Sequence, residues 1–102
     1  MIRAVHFAMM QPGAIFINTA RGRIVVENDL VEALRSQRIA GAGLDVFETE
    51  PLPLDSPLRL LPNVVLTPHA AGITREATET GLTMAIDNVL GFRAGTPVHV
   101  VN

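Results

Sequence analysis

Four side chains in this sequence have the chemistry of a site that moves protons and holds an anion: Arg21, Asp45, Glu50 and His69. An imidazole titrates near neutral pH without help, so His69, which follows Pro68, suits a general acid and base. Alone, it could equally be a strand-end histidine bonded to backbone. Arg21 stands before Gly22, and its planar guanidinium can grip two carboxylate oxygens at once, where lysine could not. Most arginines, however, are surface residues. Glu50, between Thr49 and Pro51, is an ordinary loop carboxylate unless it lies near His69, where it would favour the imidazolium. Asp45 ends an apolar run, so its carboxylate is expected to be partly buried and to need a donor. None of the four is decisive singly; their joint placement carries the argument.

That placement depends on three short apolar runs, Ala14 to Asn18, Ala42 to Val46 and Asn63 to Thr67. They are continuous rather than alternating, as expected of parallel strands buried on both faces. Glu27 to Arg38 carries Leu30, Val31 and Leu34 at helical spacing, which makes the first two strands parallel neighbours joined by a crossover helix. Pro51, Pro53, Pro57 and Pro62 deny the next link a regular helix, so Phe47 to Leu61 reads as an ordered loop with at most one short turn. A long amphipathic helix, about Thr74 to Arg93, bears Leu82, Ile86, Val89 and Leu90 on one stripe and ends at Gly95. Ala4 to Met10 reads as a helix stopped by Pro12-Gly13. The fold class is therefore α/β, a partial Rossmann-type doubly wound parallel sheet. Open parallel sheets bind ligands beyond the carboxyl ends of their strands, where Thr19 to Gly22, Asp45 to Pro51 and Thr67 to Gly72 all fall.

Composition narrows the function. The chain has 102 residues, 48% hydrophobic and 18% charged, with net charge −2, which suits a piece covered by more protein, although a compact α/β domain could have the same composition. Its eight basic residues are all arginine and never cluster, so neither nucleic acid nor an anionic membrane is an expected partner. Without lysine there is no Schiff-base chemistry. Without cysteine there are no disulfides, thiolate metal sites or thiol nucleophiles, and no metal is expected. No apolar run approaches the ~20 residues of a membrane span, and residues 1–10 lack a signal-peptide shape; the expected location is the cytoplasm.

Three strands make a thin sheet with two apolar faces, and a helix begins at once, so an incomplete domain is expected, one that self-associates as a homo-oligomer, in the simplest case a dimer. No G-x-G-x-x-G phosphate loop occurs; Gly41-Ala42-Gly43 is the nearest approach, at the start of a strand.

With those residues in place, Asn18-Thr19-Ala20-Arg21-Gly22-Arg23-Ile24-Val25 resembles the Arg-Gly signature of D-isomer-specific 2-hydroxyacid dehydrogenases. Ala40 to Pro53 resembles that family's second signature, Leu61 to His69 its third, and Gly95-Thr96-Pro97-Val98 its usual exit from the long helix. The match spans essentially the whole chain in the right order. The resemblance implies that residues 1–102 are the C-terminal half of an NAD(P)-binding Rossmann-type domain without the substrate-binding domain. It implies that Arg21 holds the substrate's carboxylate and 2-oxo oxygen, that His69 moves the hydroxyl proton, and that Glu50 keeps His69 protonated. It further implies that Asp45 binds the nicotinamide carboxamide. The backbone of Thr19, Ala20 and Arg21 would line the cofactor, together with His69, Ala71 and Gly72. The implied cofactor is NAD, with NADP left open, and the implied partner a small 2-hydroxy or 2-oxo acid.

Departures from the family's commonest wording are few. Glu27 stands where aspartate usually caps the following helix, so that helix is expected to start at Asn28; Gln11 replaces a common lysine. Glu50, where the family's formate dehydrogenases carry glutamine, argues against formate. Because the glycine-rich loop is absent, the 102 residues alone are expected to bind NAD weakly or not at all and not to turn over substrate. The competing expectation is a non-catalytic module: the same fold serves as an NAD-sensing corepressor scaffold that keeps the same three residues.

Overall fold

The computed structural model describes residues 1–101 and divides into two compact units, Met1–Ala71 and a second that begins at Gly72. In the first unit, α1 (Ala4–Met9), β1 (Ile15–Asn18), α2 (Glu27–Arg35), β2 (Gly41–Leu44) and β3 (Val64–Leu66) follow in order. The strands form one parallel sheet, β1-β2-β3, with Phe16 beside Ala42, Asn18 beside Leu44, and Leu44 beside Leu66. This is the partial Rossmann-type α/β arrangement the sequence implies.

One face of the sheet makes the core. Phe16, Ala42 and Leu44 are buried there with Phe7 of α1, Leu30, Val31 and Leu34 of α2, and Ile39. Phe7 meets Phe16 edge to face at 5.4 Å, a geometry the ring quadrupoles favour. The opposite face, bearing Ile15, Ile17 and Val65, is 68–69% exposed at those residues. The expectation of strands buried on both faces therefore fails on this side: within the described residues, α1 and α2 supply cover for one face only.

The helix ends explain the other differences. α2 begins at Glu27 rather than Asn28, with Val26 as an N-cap that offers no side-chain bond. Glu27 instead turns its carboxylate to the Glu48 N–H, at 3.4 Å. α2 also stops at Arg35, short of Arg38, because Gln37 adopts φ 55°. The Arg38 N–H then reaches the Ala33 carbonyl at 2.8 Å and the Gln37 N–H that of Leu34 at 3.2 Å, the two bonds of a Schellman closure. Arg38 serves a second end: its guanidinium donates to the Ala8 carbonyl and, at 2.6 Å, to that of Met10, where α1 finishes. At the other end of α1, Asp29 accepts the Ala4 N–H at 2.9 Å.

The proline-rich link is ordered, as its composition suggests. It contains a 3-10 turn, Pro57–Leu60, opened by Ser56. Arg59 staples it by donating to the carbonyls of Pro53 at 2.9 Å and Leu52 at 2.8 Å. The second unit is dominated by α3 (Arg75–Arg93), which starts at Thr74, whose hydroxyl accepts the Ala77 N–H at 3.1 Å. It closes at Gly95, φ 72°, as expected. Its stripe of Leu82, Ile86, Val89 and Leu90 is exposed. Among the described residues no helix is long and apolar enough to cross a membrane.

Candidate active site

The site lies where the three strands end. β1 finishes on Asn18, and the chain turns at once through Thr19, Ala20 and Arg21 into a 3-10 turn, Gly22–Ile24. The Asn18 side chain shapes this turn: Oδ1 accepts the Ala20 N–H at 3.1 Å, and Nδ2 donates to the Arg21 carbonyl at 3.0 Å. Arg21 keeps one guanidinium nitrogen on the Ala20 carbonyl, at 2.6 Å, and is otherwise exposed. The next residue must be glycine. A Cβ on Gly22 would stand 1.9 Å from the Phe47 carbonyl oxygen, so the Arg21 turn is packed directly on the backbone that leaves β2.

β2 delivers Asp45, buried at 2% exposure. Its carboxylate accepts three bonds, all from the segment after β3: the Thr67 hydroxyl at 2.5 Å, the Ala70 N–H at 2.8 Å and the Ala71 N–H at 2.8 Å. These donors favour the ionised form. The Thr67 hydroxyl above all, with the Ala71 amide next, lowers the Asp45 carboxyl below its ordinary value of 3.8 against the opposing effect of burial. Asp45 thus ties down the turn on either side of His69, which holds φ 55°, a left-handed conformation uncommon for a residue with a side chain.

Glu50 completes the set. Its Oε1 accepts the Phe47 N–H at 2.9 Å, which fixes the carboxylate from its own loop. Its Oε2 lies 2.8 Å from His69 Nδ1. The Phe47 amide is the larger cause of a Glu50 pKa held below 4.5, followed by the His69 hydrogen bond, with the charges of His69 and Arg21 adding less. An ionised carboxylate only accepts, so Nδ1 carries the hydrogen and Nε2 is the ring atom left for chemistry.

Arg21, Glu50 and His69 line one cleft of about 400 Å³ with Gly22, Arg23, Phe47 and Glu48. A second hollow, of about 570 Å³, is also lined by Glu50 and His69, together with Leu52, Leu66 and Pro68. The three residues picked from sequence as an acid–base and anion-holding set therefore share a cavity. Thr19 and Ala20 precede Arg21 in its turn, and the Ala71 N–H bonds Asp45, which is not among the residues lining the cleft. Gly72 opens the second unit, and a Cβ there would meet nothing within 4 Å. Sequence reasoning left Asn18, Thr67 and the Phe47 N–H without roles. Asn and Thr at the ends of apolar strands were the available signal, since short polar side chains there bond the neighbouring backbone. Among the described residues no group of three or more His, Asp or Glu is placed to hold a metal ion.

This constellation can bind a carboxylate at Arg21 and exchange a proton at His69 Nε2 within one small cleft. Residues 1–71 match the family described as D-isomer specific 2-hydroxyacid dehydrogenase, NAD binding domain. The chain is 52% identical over 92 residues to a glyoxylate/hydroxypyruvate reductase B of Citrobacter koseri, covering 90% of this chain and 28% of that protein. It is 42% identical over 97 residues to a hydroxypyruvate reductase of Blautia hydrogenotrophica, covering 95% of this chain and 30% of that one. Among solved structures, a D-isomer specific 2-hydroxyacid dehydrogenase from Xanthobacter autotrophicus Py2, in complex with NADPH and MES, superposes with a TM-score of 0.83 at 46% identity, over 96% of this chain and 40% of that one. The chain spans 28–30% of the length of these two curated relatives.

Proposed function

The chain belongs to the D-isomer specific 2-hydroxyacid dehydrogenase family, matched over its NAD binding domain, and on that premise we propose that it supplies the proton-transfer and carboxylate-binding residues of an NAD(P)-dependent reductase of small 2-oxo acids. The single observation that carries this reading is the shared cleft, in which Arg21 stands with the hydrogen-bonded Glu50–His69 pair. Glyoxylate and hydroxypyruvate, named for the relatives, are the first substrates to try.

The Arg21 guanidinium takes the substrate carboxylate and leans toward the 2-oxo oxygen, its fork matching planar oxygens. His69 Nε2 donates a proton to that oxygen as it becomes a hydroxyl, and Glu50 stabilises the imidazolium beforehand through Nδ1. The nicotinamide, when bound, supplies the hydride to the substrate's C2. The turn Thr19-Ala20-Arg21 and the Ala71 backbone would line it, as the family resemblance implies. A carboxylate has about four lone-pair sites; Asp45 has filled three with its own chain, and the fourth is what it offers a carboxamide N–H. The protein works in the cytoplasm, and a homo-oligomer, a dimer in its simplest form, gives cover to the apolar residues exposed here.

The test is a chimera in which this chain replaces the matching segment of the Citrobacter koseri reductase. It should reduce glyoxylate or hydroxypyruvate with NADH or NADPH, and His69→Gln should lower the rate by about 10²–10⁴-fold. A folded chimera whose His69→Gln form turns over equally fast sinks the reading and favours a non-catalytic, cofactor-sensing module instead.

A further inference from the structure

Asn18 is 4% exposed, one of three polar or charged residues buried among the described residues, and the acid–base chemistry makes no use of it. Both hydrogen-bonding atoms of its side chain are spent on the turn that carries Arg21. Its carbonyl is itself held, by the Asp45 N–H at 3.0 Å, so the residue that shapes the turn is pinned to the neighbouring strand. The Arg21 carbonyl takes a further N–H from Ile24 at 3.4 Å. Beyond it, Gly22 abuts the Phe47 carbonyl. The peptides on both sides of Arg21 are therefore fixed, while its guanidinium makes one bond, to the Ala20 carbonyl.

We infer that Asn18 is a positioning residue for Arg21: its amide sets the turn from which the guanidinium is aimed, and so governs carboxylate capture without acting on the Glu50–His69 pair. The inference rests on the proposed function for the identity of the anion, but the positioning itself does not depend on it. A direct contact between the Asn18 amide and cofactor or substrate is disfavoured by its enclosure and by its two existing bonds. The amide is needed specifically, because one atom must accept from Ala20 while the other donates to Arg21. In Asn18→Asp the second oxygen would face the Arg21 carbonyl oxygen at the present 3.0 Å, two acceptors opposed. Asn18→Ser keeps an acceptor and loses the donor.

The experiment uses the 102-residue chain, ¹⁵N- and ¹³C-labelled, as wild type, Asn18→Ala, Asn18→Asp and Asn18→Ser. NMR follows the Arg21 Nε–H signal during titration with oxamate, an unreactive 2-oxo carboxylate. It also records Ala20 amide exchange, Arg21 backbone relaxation and the Asp45 carboxyl titration. The expected result is a more mobile Arg21 backbone and oxamate affinity weakened about tenfold in all three variants, with faster Ala20 exchange in Asn18→Ala, and with cooperative melting and the Asp45 titration preserved. A general loosening of the fold would move the Asp45 titration as well, and that result overturns the inference. So does unchanged oxamate affinity in a folded variant whose Ala20 protection is lost, or unchanged Ala20 protection in Asn18→Ala. If Asn18→Ala does not fold, the Asp and Ser variants decide by Arg21 relaxation and oxamate affinity, which must both change; if neither folds, the residue is structural and the inference is overturned. A wild-type Arg21 that ignores oxamate counts against the proposed function alone; the relaxation of Arg21 in the variants then decides for or against Asn18.

Discussion

His69 Nδ1 lies 2.8 Å from Glu50 Oε2, while Glu50 Oε1 is held at 2.9 Å by the Phe47 N–H. The carboxylate is thus oriented from its own loop before it meets the imidazole, and the two bonds contribute unequally to its ionisation. The backbone donor is the larger cause of the lowered Glu50 pKa and the His69 ring the second. His69→Gln should therefore raise the Glu50 carboxyl only part of the way to its ordinary 4.5, because the Phe47 amide stays in place. A ¹³C titration of the Glu50 carboxyl reads this directly. A complete return to the ordinary value would mean that the ring, not the loop, holds the charge.

Glu50→Gln keeps the shape of the pair and removes its charge. The glutamine can still accept from Phe47, but it can no longer stabilise an imidazolium. In the reductase chimera we expect kcat to fall about 10²-fold with KM little changed, since under the proposed function Arg21, not Glu50, meets the substrate carboxylate. Steady-state kinetics checks the split, and a variant whose loss falls in KM would move Glu50 from proton chemistry to substrate binding.

Asp45 and Glu50 are both held below their ordinary values of 3.8 and 4.5. In the unfolded chain they bind protons at a higher pH than in the native one. Their stabilising contribution is thus complete above the ordinary values and is lost as pH falls through the lowered native ones. The chain should lose stability in acid below about pH 4. Asp45→Asn should flatten that dependence, while at neutral pH it weakens the fold by setting an amide N–H₂ against donors. Urea unfolding at pH 7 and pH 3 measures both effects; equal acid sensitivity in the variant would remove Asp45 from the account.

Gly22 separates the Arg21 turn from the Phe47–Glu48 backbone by less than a methyl group. Its backbone is not left-handed, so the demand for glycine is purely steric. The atoms that a Cβ would strike, the Phe47 carbonyl at 1.9 and 2.0 Å and the Glu48 nitrogen at 2.6 Å, are main chain and cannot swing aside. Gly22→Ala should cost about 1–3 kcal/mol and shift the Arg21 and Phe47 amide resonances together. A variant as stable as wild type would show that the two segments are not in contact.

Much of this was legible in the residues themselves. Leu30, Val31 and Leu34 announce the face α2 buries, and strand-end placement alone puts Arg21, Asp45 and His69 at one edge of the sheet. The pairing of Glu50 with His69 came from family resemblance, because nothing local says where a residue in a proline-rich loop will reach. That a sheet apolar on both faces is short of cover was legible as well, but not which of its faces lacks it. Ile15, Ile17 and Val65 are as apolar as their buried neighbours, and pattern reports what a face requires, not what is present to cover it. The inward donors to Asp45 were equally invisible, since two of the three are backbone amides. The early end of α2 escaped because a Schellman closure usually shows itself by glycine, and here the left-handed position is filled by Gln37.

That last residue gives a prediction confined to the fold. Gln37 sits at φ 55° with its N–H on the Leu34 carbonyl, while Arg38 reaches Ala33. A left-handed residue with a Cβ costs roughly 1–2 kcal/mol, which glycine avoids, whereas glycine's extra freedom in the unfolded chain takes back roughly 0.4–1 kcal/mol. The first effect wins, so Gln37→Gly should stabilise the chain by about 0.5–1 kcal/mol, equivalent to roughly 2–6 °C in Tm. Gln37 makes no side-chain hydrogen bond among those described, so its removal takes away nothing comparable. Thermal melts of the two proteins settle the sign. A lower Tm in Gln37→Gly would show that unfolded-state entropy, rather than left-handed strain, dominates at this helix end.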